Sequence, residues 1–257
     1  MIPIPRTRRA AVAAGLALSL VLALAAAGAR AGDSRAGAGG DTAAASPGER
    51  LESMTGPILL ETAQAEFRKA ASVTMTGFAL KDGRRAVFTV SADREGHCTV
   101  SSTEEGQGPS LVLRVLDETF VRMDPQACAR EWGAATASKF DGRWIRLPPD
   151  RALDDIGAFC DLTTVPVVGA PDPAGQALSG GGLSVGGTRT MSFLVTSPDD
   201  PPFLGYVATQ GPPRPVRVET QAYDFQVDFG DYDKPVAVTA PPADQVVDLA
   251  ALTENTP

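Results

Sequence analysis

The sequence is poor in residues that do chemistry. Its 257 residues include one histidine, three cysteines, three tyrosines and two tryptophans, and aromatics make up 6%. A Ser-His-Asp or Cys-His site would have to be built on His97. Its neighbour Cys98 makes a poor partner, because adjacent residues on a strand point to opposite faces. Zinc sites want several His or Cys ligands at close spacing. One histidine with Cys98, Cys128 and Cys160 does not supply them. No catalytic residue, metal site or cofactor is therefore expected, and the chain reads as a non-enzyme. Asp228, Asp231 and Asp233 gather at a turn, but EF-hand spacing is absent and turn aspartates are common. Gly180 to Gly187 matches neither G-x-G-x-x-G nor the P-loop pattern and reads as a loop and hairpin turn.

Positive charge is lacking too, with a net charge of −8. Met1 to Arg9 carries Arg6, Arg8 and Arg9 and no acid. Ala10 to Ala27 is mostly Ala, Leu and Val, and Ala29-Arg30-Ala31 has a small-x-small pattern. This is the layout of a secretory signal peptide cleaved between Ala31 and Gly32. The alternative, an uncleaved anchor, is disfavoured by the alanine content and the site that follows. No later apolar run is long enough to span a membrane. Cleavage removes four arginines and no acid, taking the net charge to −12. That argues against nucleic acid as a partner and against strong binding to an anionic membrane surface. No cysteine lies near residue 31, so there is no acceptor for a lipid anchor. Export places the chain where disulfides persist, and an odd count leaves one thiol over. The residues alone leave the pairing open.

Residues 32–56 are rich in Gly, Ala and Ser and read as a flexible linker. A folded domain is expected over 57–250, with a disordered tail over 251–257. Pro57 to Ala70 predicts a helix with proline in its first turn, an apolar stripe of Ile58, Leu59, Thr62, Ala65 and Phe67, and Arg68-Lys69 in its last turn. Alternating runs predict strands over Ser72–Leu80, Ala86–Ser91, Cys98–Ser101, Leu111–Leu116 and Thr119–Met123, with an Asp-Gly hairpin signal at Asp82-Gly83. Pro125–Ser138 predicts a helix, Asp141–Leu147 a short strand, Arg151–Leu162 a second helix and Val165–Gln176 a loop. Leu178–Val185, Thr190–Ser197, Leu204–Thr209, Val216–Thr220, Tyr223–Phe229 and Val236–Thr239 predict a closing meander. Its clearest member alternates apolar Tyr223, Phe225, Val227 and Phe229 with polar residues. The class is α+β in one domain.

Several stretches resemble a known family. They are Gly96-His97-Cys98, Gly142-Arg143-Trp144-Ile145, Phe159-Cys160-Asp161-Leu162, Tyr206-Val207-Ala208-Thr209, Pro215 to Glu219, Phe229 to Tyr232, and Ala240-Pro241-Pro242 before Val246 to Leu249. Together they resemble the secreted or lipid-anchored LolA/LolB-like proteins of actinobacteria, over about Pro57 to Leu249. The resemblance implies a strongly curved antiparallel half-barrel with helices covering its concave face, and a cavity there for lipid. It implies a disulfide between Cys98 and Cys160, with Cys128 free. Many members carry a lipobox cysteine where this chain has Arg30-Ala31-Gly32.

The strand residues Met75, Val87, Phe88, Val90, Leu111, Leu113, Phe193, Val195, Phe225 and Val227 are the candidates to line such a cavity. The same residues would also suit an ordinary packed core, and sequence does not separate the two. The leading expectation is an exported binding protein holding a lipid or other hydrophobic ligand, as a carrier or chaperone of the cell envelope. The alternative is a solid interaction module that binds a protein or envelope component.

Overall fold

The computed structural model describes residues 47–81, 83–140, 142–148, 159–163, 165, 175–198 and 201–249. The expected signal peptide, most of the linker, the tail, most of the Arg151–Leu162 helix and most of the Val165–Gln176 loop lie outside the described residues.

A short helix, α1 (Pro47–Glu52), falls inside the stretch expected as linker, and Leu51 is buried in the core. The helix α2 (Gly56–Lys69) follows, with Pro57 in its first turn. Its buried stripe is Leu59, Leu60, Ala63 and Phe67, which shifts the expected one: Ile58 is exposed. Spacings of four residues put Leu59, Ala63 and Phe67 on one face. Gly56 lets the start of α2 sit directly on a strand, because a Cβ there would meet the Ala177 carbonyl oxygen at 2.3 Å.

Strands β1 (Ser72–Lys81), β2 (Arg84–Asp93), β3 (His97–Glu104), β4 (Pro109–Val115) and β5 (Glu118–Arg122) form an antiparallel meander. The expected Pro125–Ser138 helix is two helices, α3 (Pro125–Trp132) and α4 (Ala134–Phe140), because the chain turns at Gly133 with φ of 88°. Asp124 caps α3 by accepting from the Gln126 and Ala127 amides. Strand β6 (Trp144–Leu147) then pairs with β5.

The second meander is β7 (Gln176–Val185), β8 (Thr188–Thr196), β9 (Phe203–Ala208), β10 (Pro215–Thr220) and β11 (Phe225–Gly230). Gly180–Gly182, expected in a loop, lie within β7. Tyr223 is not part of β11: it sits in the preceding turn with φ of 55°. Val236–Thr239 forms no strand. A strand that was not expected, β12 (Val246–Asp248), runs parallel to β6.

β1 pairs with β11, so the two meanders join into one sheet of twelve described strands, ordered β12-β6-β5-β4-β3-β2-β1-β11-β10-β9-β8-β7. The sheet is open, its ends being β12 and β7. The protein is thus an α+β half-barrel: a curved, almost wholly antiparallel sheet with helices on its concave face. Among the described residues no helix is long and apolar enough to cross a membrane.

Candidate functional site: the covered face of the half-barrel

Opposed residues on neighbouring strands share a face. One row therefore runs unbroken through Phe229, Met75, Val90, Val100, Val112, Val121 and Ile145. All seven are buried in a single core cluster. A second row crosses between the wings through Phe193, Gly205, Val218, Val227, Gly77 and Phe88. Gly205 is small because the Phe193 ring occupies its place: a Cβ there would lie 1.9 Å from the ring. Neither row contains a charged side chain. Such a surface offers dispersion and apolar burial but no acid, base or nucleophile.

The structure brings Met75, Phe88, Val90, Phe193, Val195 and Val227 together on this face, all buried in the core cluster. Phe225 is half-buried and packs against its margin. Leu113 stands apart. It pairs with Thr99 and Phe120 on the opposite face, while its neighbour Val112 points into the core. Val87 is likewise on the outside, exposed.

The cover is built from separate pieces. From α2, Phe67 meets Phe229 edge-on at 5.9 Å and Tyr232 at 6.4 Å. The Tyr232 hydroxyl donates to the Pro215 carbonyl at 2.8 Å, and burial pushes its pKa well above the usual tyrosine value. Over the β1–β6 side, Trp132 and Phe140 of α3 and α4 pack at 5.7 Å. Phe159 lies 5.7 Å from Phe88. The next residue, Cys160, is bonded to Cys98 of β3 with an S–S distance of 2.04 Å, so the staple pins this part of the cover to the sheet. Cys128 is a free buried thiol pushed up to about 11, first by burial and then by Asp124, so it stays protonated and inert.

The opposite face carries polar work. The Tyr206 hydroxyl donates to Glu219 Oε1 at 2.7 Å, and burial, followed by this bond, pushes Tyr206 up to about 12. Arg217 holds Asp228 in a fork, and Gln226 Nε2 also donates to Asp228 at 2.9 Å. Arginines lie over aromatic rings: Arg85 over Phe78 at 3.8 Å and Arg122 over Trp144 at 4.7 Å.

The remaining chemistry-bearing residues staple turns. Asp93 Oδ1 accepts from the Glu95 and His97 amides, and its Oδ2 lies 2.9 Å from His97 Nδ1. Donor atoms of Asp93, Glu95 and His97 fall within 4.8 Å of one another, but Asp93 is engaged in closing the β2–β3 turn. Cys98 points into the core, so it forms no dyad with His97. Asp228, Asp231 and Asp233 do not converge: each pairs with its own cation, Arg217, Lys234 and Arg214. Asp233 also accepts from the Ala71 amide at 2.8 Å; that bond, and then Arg214, hold its carboxyl below the usual range.

Sequence reasoning missed the faces of Val87, Leu111 and Leu113 and the members contributed by the cover. Alternation in β4 is apolar on both faces, so only its pairing with β3 fixes which residues point inward.

No protein-family model matches the chain, and no curated protein matches it by sequence. Solved structures do resemble it. The Mycobacterium tuberculosis lipoprotein LppX aligns at 13% identity and a TM-score of 0.49, over 71% of this chain and 97% of LppX. A LolA superfamily protein from Nitrosomonas europaea aligns at 13% and 0.27, over 72% of this chain and 96% of its own. MucB, in its complex with MucA from Pseudomonas aeruginosa, aligns at 14% and 0.35, over 74% of this chain and 59% of its own. These are likenesses to solved structures at low identity, and they say nothing of ligand or role.

Proposed function

We propose that this is an exported, non-enzymatic binding protein that holds a lipid or other hydrophobic molecule against the covered face of its half-barrel. The supporting observation is the pair of uninterrupted apolar rows, closed by separate helices and a stapled segment instead of a second sheet. The ligand would contact Met75, Phe88, Val90, Phe193, Val195 and Val227, with Phe225 at the margin. It would enter by parting the cover from the sheet where Phe67 meets Phe229 and Phe159 meets Phe88. Binding would draw roughly 0.8 kcal/mol from each CH₂ removed from water. Export would follow from the signal peptide, leaving Gly32 as the first residue of the mature chain.

Native mass spectrometry of gently purified protein tests the reading. A co-purifying hydrophobic mass, or uptake of fluorescent fatty acids or phospholipids, is the expected result. A clean apo mass with no uptake of either probe sinks it.

A second reading is a solid envelope module that binds a protein through its outer surface. It is favoured by the ring contacts that fill the space between cover and sheet. The clean apo result above, joined to unchanged melting in the presence of lipid, would leave this reading standing.

A further inference from the structure

The two ends of the sheet are protected unequally. β12 is three residues long, follows Pro241-Pro242, and carries Asp248 bonded to Arg146. A short strand, a charge and prolines are among the means by which proteins blunt an edge. β7 has none of these three; its one protective feature is the irregularity between Ser179 and Gly182. It runs ten residues, Gln176–Val185, with no charge and no proline, and among the described residues no strand pairs with its outer side.

The edge is also apolar and self-complementary. Leu178 and Leu183 are 54% and 43% exposed. Five positions apart, they would point to opposite faces of a regular strand. The irregularity between Ser179 and Gly182 takes up one residue, so Leu178 pairs with Leu194 and Leu183 with Thr190, and both leucines share one face. Between them Leu178-Ser179-Gly180 mirrors Gly181-Gly182-Leu183 in size. Space beside Gly181 is open, with nothing within 4 Å of a Cβ built there.

We propose that β7 is a homodimerisation edge, joining β7 of two copies antiparallel about Gly180-Gly181. The partner is a second copy because the pattern fits itself: that register sets Leu178 of one copy directly opposite Leu183 of the other, and the two-fold axis makes the pair twice. The sheet then continues across the axis and neither edge is left bare. A single strand pair buries less than the roughly 1,000 Å² of a standing interface, so the dimer is weak and concentration-dependent.

Sedimentation velocity of the mature chain, from about 1 μM to about 1 mM, reads this directly. A rising dimer fraction is expected. The double variant L178K/L183K sets lysine opposite lysine and weakens the dimer at least about tenfold. Because both positions are exposed, the variant should keep the wild-type circular dichroism and melting temperature. Mixing it with L178E/L183E restores a heterodimer, which loss of folding would not allow. A wild type monomeric throughout the range overturns the proposal, as does a lysine variant that dimerises like wild type or a mixture that fails to assemble.

Discussion

The wing β1–β6 and the wing β7–β11 are both meanders with apolar rows on the covered face, yet their covers are attached differently. α2 packs over β7, β8 and β10 and leads straight into β1. It covers one wing while being covalently continuous with the first strand of the other, and it needs no crosslink. The β1–β6 wing is covered by α3, α4 and the segment around Phe159, all inserted between later strands, and there the Cys98–Cys160 bridge spans 62 positions. A cover delivered by a short connection is held by packing; one delivered by a long connection gains most from a covalent tie.

The strongest test of that contrast is Phe67→Ala. Phe67 is buried against Phe229 and Tyr232, at the joint of the two wings. The substitution should cost about 3–5 kcal/mol and loosen both wings together, read as a lowered urea midpoint and faster amide exchange in β1 and β11 alike. Loss confined to one wing would break the idea of a shared joint. Next is the paired change Cys98→Ser with Cys160→Ser, expected to cost about 2–4 kcal/mol. Here exchange should quicken in β3 and around Phe159 and stay unchanged in β8–β10. A uniform effect would mean that the staple serves the whole fold.

The outer face sharpens the comparison in the other wing. Glu219 is only 7% exposed, and Tyr206 is its hydrogen-bond donor. Tyr206→Phe removes that donor and leaves a buried carboxylate short of a partner, so a loss of about 1–3 kcal/mol is expected. Denaturation should show it with β9 and β10 opening first. If the variant is as stable as wild type, Glu219 is satisfied by water instead.

What could be read from the sequence was what is local. Most strands and α2 announce themselves by their own periodicity, and the hairpin turns by Gly and Asp. Tyr223 continues the alternation of β11, yet the Thr220 hydroxyl bonds Asp224 and accepts from the Phe225 amide at 3.2 Å, so the turn claims Tyr223 first. Val236–Thr239 has a strand's composition and, among the described residues, no neighbour to pair with. β12 has a neighbour, but Asp248 reaches Arg146 across 102 positions, a pairing that no window reveals. The join of β1 to β11 is invisible for the same reason. Of the ten candidate strand residues, six are buried on the covered face, while Val87, Leu111 and Leu113 turn the other way; Leu111–Val115 is apolar on both faces apart from Arg114, so only pairing decides which residues point inward. The cysteine pairing followed from family resemblance; the spacing of three cysteines left it open.

The smallest effect lies where the chain leaves β11 for β12. Asp233 accepts from the Ala71 amide and pairs with Arg214 at 2.7 Å, tying the exit of β11 to the entrance of β1. These partners hold its folded pKa below its ordinary 3.8. A depressed carboxylate stabilises the fold above the unfolded value, and that contribution fades as pH falls through the folded value. Asp233→Asn keeps a side chain that tolerates the φ of 62° at this position and removes only the charge. Because the side chain is 45% exposed, solvent screens the pair, and the loss at neutral pH should stay below about 1 kcal/mol. Urea midpoints of wild type and variant should differ near neutrality and converge in acid below the ordinary carboxylate value. A gap that persists there would mean that the Asn side chain disturbs the backbone bond, and that charge has little part in joining the two wings at this corner.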